Sequence, residues 1–302
     1  MNAVTIGTFD GVHLGHALLL RELRKLSREL NVNPLVLILS PHPLAVIAPD
    51  KAPGLLSTTA ERWQLIRSIL PDAKVEVLQF TPSLRSLTHS DFFKMLRDEY
   101  NARAVLMGYD NRFGSDRNAT FDDYASTASR LGLLLRRADE RPETSSSIIR
   151  DAVSSGDMEA ARDKLGRPYS ISGRVVEGHK IGRSIGFPTA NLCPDSAELL
   201  KPSNGVYAAI ASVEGEQFPA VVNIGNRPTL DNGSDLTIEA HLPDFTGSLY
   251  GKPMTISFIK KLRDEHRFPS IEDLSHQLAK DTEDALKVIT RENCLKNPQI
   301  VR

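Results

Sequence analysis

The apolar positions in the first half of the chain follow two alternating periods. A short β-branched run at 4–6 predicts a strand, and the continuous apolar run at 34–40 is typical of a strand buried on both faces. Between them, five leucines from Leu19 to Leu30 recur at helical spacing. Strands that alternate with helices in this way predict an α/β domain with a parallel sheet. Further helices are predicted at 59–70 and 90–100, and further strands at 75–78 and 104–107.

From about residue 170 the apolar runs become short and are separated by Gly, Pro, Asn and Asp. This spacing predicts a small antiparallel β-barrel. A closing helix follows, with Ser270 as its N-cap and Asp273 in the capping-box position. A connecting helix predicted at 156–165 precedes the change, so we place one domain at residues 1–165 and a second at 166–302. The predicted barrel strands are 170–176, 205–213, 220–224, 236–242 and 253–259.

Composition and charge narrow the class of protein. A chain of 302 residues is long enough for two cores, and 40% apolar with 25% charged residues fits a globular protein. The formal net charge of −1 argues against a nucleic-acid partner. Cys193 and Cys294 do not provide a disulfide framework or zinc spacing, which favours a reducing, cytoplasmic compartment. The first strand-like run leaves no room for a signal peptide, and no apolar run is long enough for a membrane span.

The motif GTFDGVHLGH at 7–16 lies where the first predicted strand meets the first helix. Gly7 and Gly11 allow a tight turn with N–H groups directed at an anion, and the helix that starts near Gly15 adds the positive end of its dipole. His13 and His16 are three residues apart, so both imidazoles can contact one phosphate group as its charge develops. A glycine-rich turn with two surface histidines is the alternative. The full arrangement of strand, turn, HxGH and helix closely resembles the HxGH nucleotidyltransferase superfamily.

Three more segments resemble one branch of that superfamily. SSSIIR at 145–150 is similar to its SSTxIR phosphate-binding turn, with Ser147 where Thr is commoner, and hydroxyls with a guanidinium suit a triphosphate. GYDNRFG at 108–114 is similar to its GxDFxFG element, with Asn111 in place of the first Phe. PHP at 41–43 and LSTTAER at 56–62 match segments that this branch places near the acceptor.

A different phosphate motif, GFPTANL, occupies residues 186–192 of the second domain. In an extended segment the Thr189 hydroxyl and the Asn191 amide would point the same way. Neutral oxygens of this kind suit Mg²⁺ that is bound mainly by substrate phosphates and water. The preceding GHKIGR at 178–183 is flexible and basic, and the chain contains no GxxxxGK[ST] loop. A proline-containing turn at the rim of a barrel is the alternative interpretation.

Five further segments accompany this motif in a fixed order. Together with GFPTANL they closely resemble the riboflavin kinase domain over nearly its whole length. With both domains considered, the chain resembles the bacterial bifunctional riboflavin kinase/FMN adenylyltransferases, also called FAD synthetases. The segments are NGVY at 204–207, VVNIGNRPT at 221–229, EAHL at 239–242, LYG at 249–251 and FIKKLRDEHRF at 258–268.

This resemblance implies a Rossmann-like HxGH domain, a barrel domain and a role for individual residues. Glu239 would be the general base that accepts the proton of the ribityl hydroxyl. His13, His16 and Arg150 would stabilise charge during adenylyl transfer, and Thr189 and Asn191 would bind Mg²⁺. Arg263 is expected in a loop that closes over flavin and nucleotide. The residues implied to bind ATP or flavin are Gly7, Phe9, Asp10, Gly11, Gly15, Asp110, Ser146, Ser147, Gly178, Gly182, Arg183, Thr189, Asn191 and Arg263.

The implied activity is two magnesium-dependent steps, each with ATP as co-substrate. The barrel would transfer the γ-phosphoryl group to riboflavin, and the α/β domain would then join FMN to AMP with release of pyrophosphate. The expected partners are riboflavin, FMN, FAD and ATP, with no nucleic acid and no membrane. A monomer or a weak homo-oligomer is expected.

Three alternatives remain open at this point. The first domain could have lost catalysis and bind only nucleotide or flavin, a hypothesis that the departures at Asn111 and Ser147 favour and that the intact HxGH opposes. The chain could be a flavin carrier without enzymatic activity. The HxGH chemistry could also serve another acceptor, as in pantetheine-phosphate or cytidylyl transfer, which the kinase-like domain opposes only by association.

Overall fold

A computed structural model describes residues 1–109, 111–116, 118–139, 143–177, 186–226, 236–243 and 245–291. The chain forms two compact units. The first consists of Met1–Pro53 and Thr59–Ser145, and the second consists of Gly54–Thr58 and the chain from Ser146 onward. No helix among the described residues is both long enough and apolar enough to cross a membrane.

The first unit is a parallel five-stranded sheet covered by helices, as the sequence predicts. The strand order is β3-β2-β1-β4-β5, and every neighbouring pair is parallel. A short 3-10 helix, Pro49–Lys51, follows the second α-helix. The elements are β1 (Asn2–Gly7), α1 (Leu14–Leu30), β2 (Asn33–Ser40), α2 (Pro43–Ile47), α3 (Thr59–Ile69), β3 (Lys74–Gln79), α4 (Pro82–Ser86), α5 (His89–Asp98), β4 (Ala102–Met107), α6 (Phe121–Arg130) and β5 (Leu134–Arg137).

Alternate residues of the central strands enter two different cores. Ala3 and Val36 pack in a core with α1 and α3, whereas Val4 and Leu37 pack in a second core with α5 and α6. Because both faces are covered, these strands are apolar along their whole length. The strand order reverses between β1 and β4, so a crevice forms outside the carboxyl ends of these two strands. The segments after β1 and β4 are GTFDG and GYDNRFG, which places both motifs at this crevice.

The second unit is a closed barrel with strand order β10-β7-β6-β11-β8-β9, and its described strand pairs are antiparallel. This confirms the predicted barrel and closing helix. Along β8, Tyr207 and Ala209 fill the barrel interior, while Ala208 and Ile210 pack outward in clusters that include Ala285 and Ile289 of the last helix. The elements are α7 (Ser146–Ser155), α8 (Met158–Leu165), β6 (Tyr169–Val176), β7 (Thr189–Pro194), β8 (Gly205–Val213), β9 (Glu216–Asn226), β10 (Leu236–His241), β11 (Pro253–Arg263) and α9 (Ile271–Arg291).

The helices α7 and α8 pack with the barrel. Ile149 of α7 and Leu165 of α8 are buried in the cluster that fills the barrel interior and its base. Helix α8 ends at Gly166, which has a φ of 77° and donates its N–H to the Arg162 carbonyl. The sequence analysis grouped both helices with the first domain, and the proposed boundary between residues 165 and 166 stays a prediction.

Candidate active sites

The turn between β1 and α1 has a backbone that few residues adopt. Phe9, Gly11 and Val12 have φ values of 49°, 76° and 39°, and the Val12 N–H donates to the Phe9 carbonyl at 3.0 Å. The Phe9 ring is fully buried, and a Cβ atom on Gly7 would lie 3.3 Å from it. Phe9 therefore supports the turn from inside the core, and its role in binding ATP or flavin stays a prediction. Asp10 is also fully buried.

The two histidines of the turn lie together at the first turn of α1. The His13 ring stacks on the His16 ring, with centroids 3.7 Å apart and planes inclined by 19°. His13 is the N-cap, and its Nδ1 accepts the His16 backbone N–H at 3.3 Å, so the neutral ring carries its proton on Nε2. A Cβ on Gly15 would lie 3.1 Å from the His13 ring, which explains the glycine. The structure thus places both imidazoles at the positive end of the helix dipole.

A cavity of about 470 Å³ lies in the first unit at the carboxyl ends of β1 and β2. Its walls are mainly apolar; Asn111, Arg112 and Ser115 of the segment that follows β4 contribute polar groups, as do Thr8 and Arg85. Asp110 of that segment lies outside the described residues. Asn111 donates its Nδ2 to the Ile6 carbonyl at 2.9 Å and lies over Gly108, where a Cβ atom would be 3.1 Å from it. The residue that departs from the family pattern therefore makes a specific contact with β1.

The far end of the same segment is fixed to α5. The backbone N–H and ring of His89 both bond the Asp116 carboxylate, and the His89 Nε2 lies 3.0 Å from the Thr127 hydroxyl. Burial raises the pKa of Asp116, but the hydrogen bonds from the His89 backbone and ring outweigh it, so this pKa is lowered overall. Gly114, with a φ of 87°, leaves no room for a Cβ beside His89.

Arg62 contacts the turn after β1, although the sequence analysis did not single it out. Its side chain is 1% exposed, and Nη1 donates to the Thr8 carbonyl at 2.8 Å, directly after β1. The sequence analysis quoted this arginine only as part of LSTTAER. Its hydrogen-bond partner, Thr8, is 54 residues away in sequence, so the local sequence does not identify the contact. His42 of PHP caps α2, since its Nδ1 accepts the Leu44 N–H at 3.2 Å.

The last five residues of SSSIIR, Ser146 to Arg150, begin α7 in the second unit, whereas Ser145, His13 and His16 belong to the first unit. Arg150 donates its Nε to the Gly54 carbonyl at 2.9 Å. The roles of Ser146, Ser147 and Arg150 stay predictions.

In the barrel, Glu239 lies in the middle of β10 between two asparagines. It is paired with Asn191 of β7 on one side and with Asn223 of β9 on the other. The Thr189 hydroxyl donates to the Glu239 carboxylate at 3.4 Å. The structure therefore brings Thr189, Asn191 and Glu239 together, as the sequence analysis required. Gly178, Gly182 and Arg183 lie outside the described residues.

A cavity of about 270 Å³ opens beside Glu239, between the barrel and α9. Arg263 and Glu265 line it, together with apolar side chains from the barrel and from α9. Arg263 is the last residue of β11 and bonds the buried Asp281 carboxylate through Nε and Nη2, at 3.0 and 2.7 Å. Arg263 therefore ends a strand instead of lying in a loop that closes over flavin and nucleotide, and its role in binding them stays a prediction. Glu265 accepts from the Asn223 amide at 3.1 Å.

A second cavity, of about 520 Å³, lies on the other side of Thr189. Phe245, Leu249 and Tyr250 supply its apolar surface. Thr189 lines both cavities.

The chain matches two family models in the same order as its two units. Residues 1–152 match FAD synthetase, and residues 165–289 match riboflavin kinase. A bifunctional riboflavin kinase/FMN adenylyltransferase from Haemophilus influenzae is 36% identical, covering 94% of this chain and 92% of that protein. The Bacillus subtilis protein of the same name is 33% identical and covers 95% and 92%. The crystal structure of a macrolide-efflux protein from Streptococcus pneumoniae is 29% identical, with a TM-score of 0.84 over 94% of this chain and 93% of that one.

Proposed function

Because this chain belongs to the bifunctional riboflavin kinase/FMN adenylyltransferase family, we propose that its barrel phosphorylates riboflavin and that its parallel-sheet unit adenylylates FMN. The chain is a transferase of flavin cofactor biosynthesis that uses ATP in both reactions. The full-length similarity to bifunctional enzymes opposes the carrier hypothesis and the hypothesis of a non-catalytic first domain.

For the kinase step, the two cavities of the second unit suggest where each substrate binds. We assign riboflavin to the cavity beside Glu239, since the apolar side chains of α9 and the barrel suit an isoalloxazine ring. We assign ATP to the larger cavity that Tyr250 lines. Thr189 lines both, so the γ-phosphoryl group and the ribityl hydroxyl would meet beside it. The Glu239 carboxylate lies 3.4 Å from the Thr189 hydroxyl, so it can accept the proton of the ribityl hydroxyl at this point.

The oxygen atoms around Glu239 fit a magnesium ion. Thr189 and Asn191 offer a hydroxyl and an amide oxygen next to one carboxylate, the hard donors that Mg²⁺ accepts when substrate phosphates supply its other ligands. Among the described residues, no group of three or more His, Cys, Asp or Glu is arranged so that it could hold a metal ion. When bound, the ion would neutralise phosphate charge, while Thr189 and Asn191 orient it.

For the adenylylation step, His13 and His16 carry the argument. Their stacked rings lie at the amino end of α1, where a ring N–H and the helix dipole both favour an anion. The FMN phosphate would attack the α-phosphorus of ATP, forming the new P–O bond as the bond to pyrophosphate breaks. The histidines would stabilise the negative charge that develops on the α-phosphate oxygens. The apolar cavity at the ends of β1 and β2 would bind the isoalloxazine of FMN.

The partners of the chain would be small molecules. Riboflavin, FMN, FAD and ATP suffice for both steps, and the net charge of −1 gives no support for nucleic-acid binding. A cytoplasmic location and a monomer or weak homo-oligomer are further proposals, the former supported by a content of two cysteines.

Product analysis tests the two-site assignment. The purified chain is incubated with riboflavin, ATP and Mg²⁺, and FMN and FAD are resolved over time. Replacing His16→Ala should abolish FAD formation and leave FMN formation unchanged, and Glu239→Gln should abolish FMN formation while FAD still forms from added FMN. The assignment is wrong if either substitution stops both steps equally, and adenylylation is excluded if FMN with ATP yields neither FAD nor pyrophosphate.

A further inference from the structure

Asn111 is a fixed part of the wall of the first unit's cavity. Its Nδ2 donates to the Ile6 carbonyl at 2.9 Å, and its backbone N–H donates to the Gly108 carbonyl at 3.2 Å. The last backbone pair between β1 and β4 is Thr5 with Leu106, so the side-chain bond continues the contact between these strands beyond the ladder. The amide lies flat over Gly108, where any Cβ would displace it.

The Asn111 amide has capacity left for a ligand. An asparagine side chain has two N–H donors and one carbonyl oxygen, and the bond to Ile6 uses one N–H. Its other N–H and its oxygen make no hydrogen bond to the part of the chain that the structure describes. Most of the surrounding wall is apolar, and its other polar lining residues are Thr8, Arg85, Arg112 and Ser115. The apolar wall includes Leu39, Ile47, Phe80, Leu84, Phe92 and Phe113.

The isoalloxazine ring has two chemically different edges. One is a dimethylbenzene, and the other is a pyrimidinedione on which carbonyl groups alternate with an N–H. A side-chain amide with one N–H and one carbonyl complements an imide edge, and the dimethylbenzene suits the apolar wall. We propose that Asn111 binds the pyrimidinedione edge of FMN in the adenylylation site. This assignment rests on the proposed placement of FMN in this cavity.

A site built to pair with a polar edge rejects an analogue that cannot pair. We therefore compare FMN with FMN methylated at N3, measuring FAD-type product and pyrophosphate in the Asn111→Ala variant and in the unaltered chain. The substitution should raise the KM for FMN about tenfold and leave kcat and the KM for ATP within twofold. The unaltered chain should discriminate against the methylated analogue at least tenfold, and Asn111→Ala should discriminate threefold or less.

Asn2 offers a matched control. Its Nδ2 donates to the Tyr100 carbonyl at 2.7 Å, a contact of the same kind between β1 and the residues before β4, at the opposite end of the strand. Asn2→Ala should leave the KM for FMN unchanged. Riboflavin phosphorylation should be unaltered in both variants.

Each other outcome overturns the inference in a recognisable way. An unchanged KM for FMN, or equal discrimination against the methylated analogue in variant and unaltered chain, refutes the contact. A loss spread equally over kcat and the KM for ATP shows a purely structural role for Asn111, which also refutes it. An unaltered chain that makes no FAD overturns the proposed function of the first unit and the inference with it.

Discussion

The ion pair between Arg263 and Asp281 ties the end of β11 to α9 and so supports one wall of the proposed riboflavin cavity. Asp281 is 3% exposed and Arg263 is 20% exposed. The carboxylate also accepts from the Gln277 amide at 2.8 Å. Arg263→Ala would leave a buried carboxylate with the Gln277 bond but without its cation. Breaking a buried pair in this way costs about 3–5 kcal/mol, and the partial exposure of Arg263 favours the lower limit, about 3 kcal/mol.

A second protein background, Asp281→Asn, separates the effect of the unpaired charge on stability from the effect of lost packing. When Asp281→Asn is present, the group left behind by Arg263→Ala is neutral, so the same truncation should cost only about 1 kcal/mol, the usual net value of a hydrogen bond. The four proteins of this double-mutant cycle are unfolded in urea and followed by far-UV circular dichroism. The predicted coupling is about 2 kcal/mol. An equal cost of Arg263→Ala in both backgrounds would show that the buried charge is not the source of the loss.

Two further predictions concern the first unit. Gly15→Ala would place a methyl group 3.1 Å from the His13 ring, so FAD formation should fall at least tenfold while FMN formation is unchanged in the product assay. Asp116→Asn tests the anchor to His89. Because the pKa of Asp116 is lowered from 3.8, its carboxylate contributes stability above pH 3.8 and loses that contribution as the pH falls through the lower folded value. Urea unfolding should therefore show Asp116→Asn to be less stable than the unaltered chain at pH 6. This difference in the free energy of unfolding should shrink below pH 3.8. A difference that does not change with pH would contradict this account.

Most of the fold follows from the period of the apolar residues, and the elements that do not are short or polar. Helix α6 (FDDYASTASR) buries Tyr124, Thr127 and Ala128, too weak a stripe to detect in sequence. Strand β5 has four residues and is mostly exposed at the sheet edge. Strand β7 lies between Pro188 and Pro194, and its place in the barrel depends on pairing with β6 and β10, which local sequence does not encode.

The candidate sites show the same division between local and long-range information. His13 and His16 are three residues apart, so helix geometry alone predicts that they meet. The contact of Arg62 with Thr8 and that of Asn111 with Ile6 join residues 54 and 105 positions apart. Nothing in the local pattern identifies these partners, so only the fold shows that both side chains bond carbonyl groups at the end of β1.

The net charge of −1 argues against nucleic acids as ligands and permits single nucleotides, for a physical reason. Nucleic acids are bound through a long-range field of many basic residues, whereas a single nucleotide is bound by N–H groups and dipoles within a few ångströms. The histidines at the amino end of α1 would be donors of this second kind, and they add little to the formal charge. Glu239 poses the opposite problem, because a carboxylate beside a triphosphate is repelled unless a cation lies between them. The neutral oxygens of Thr189 and Asn191 next to it can orient such a cation without adding charge, which is why we assign magnesium to that corner of the barrel.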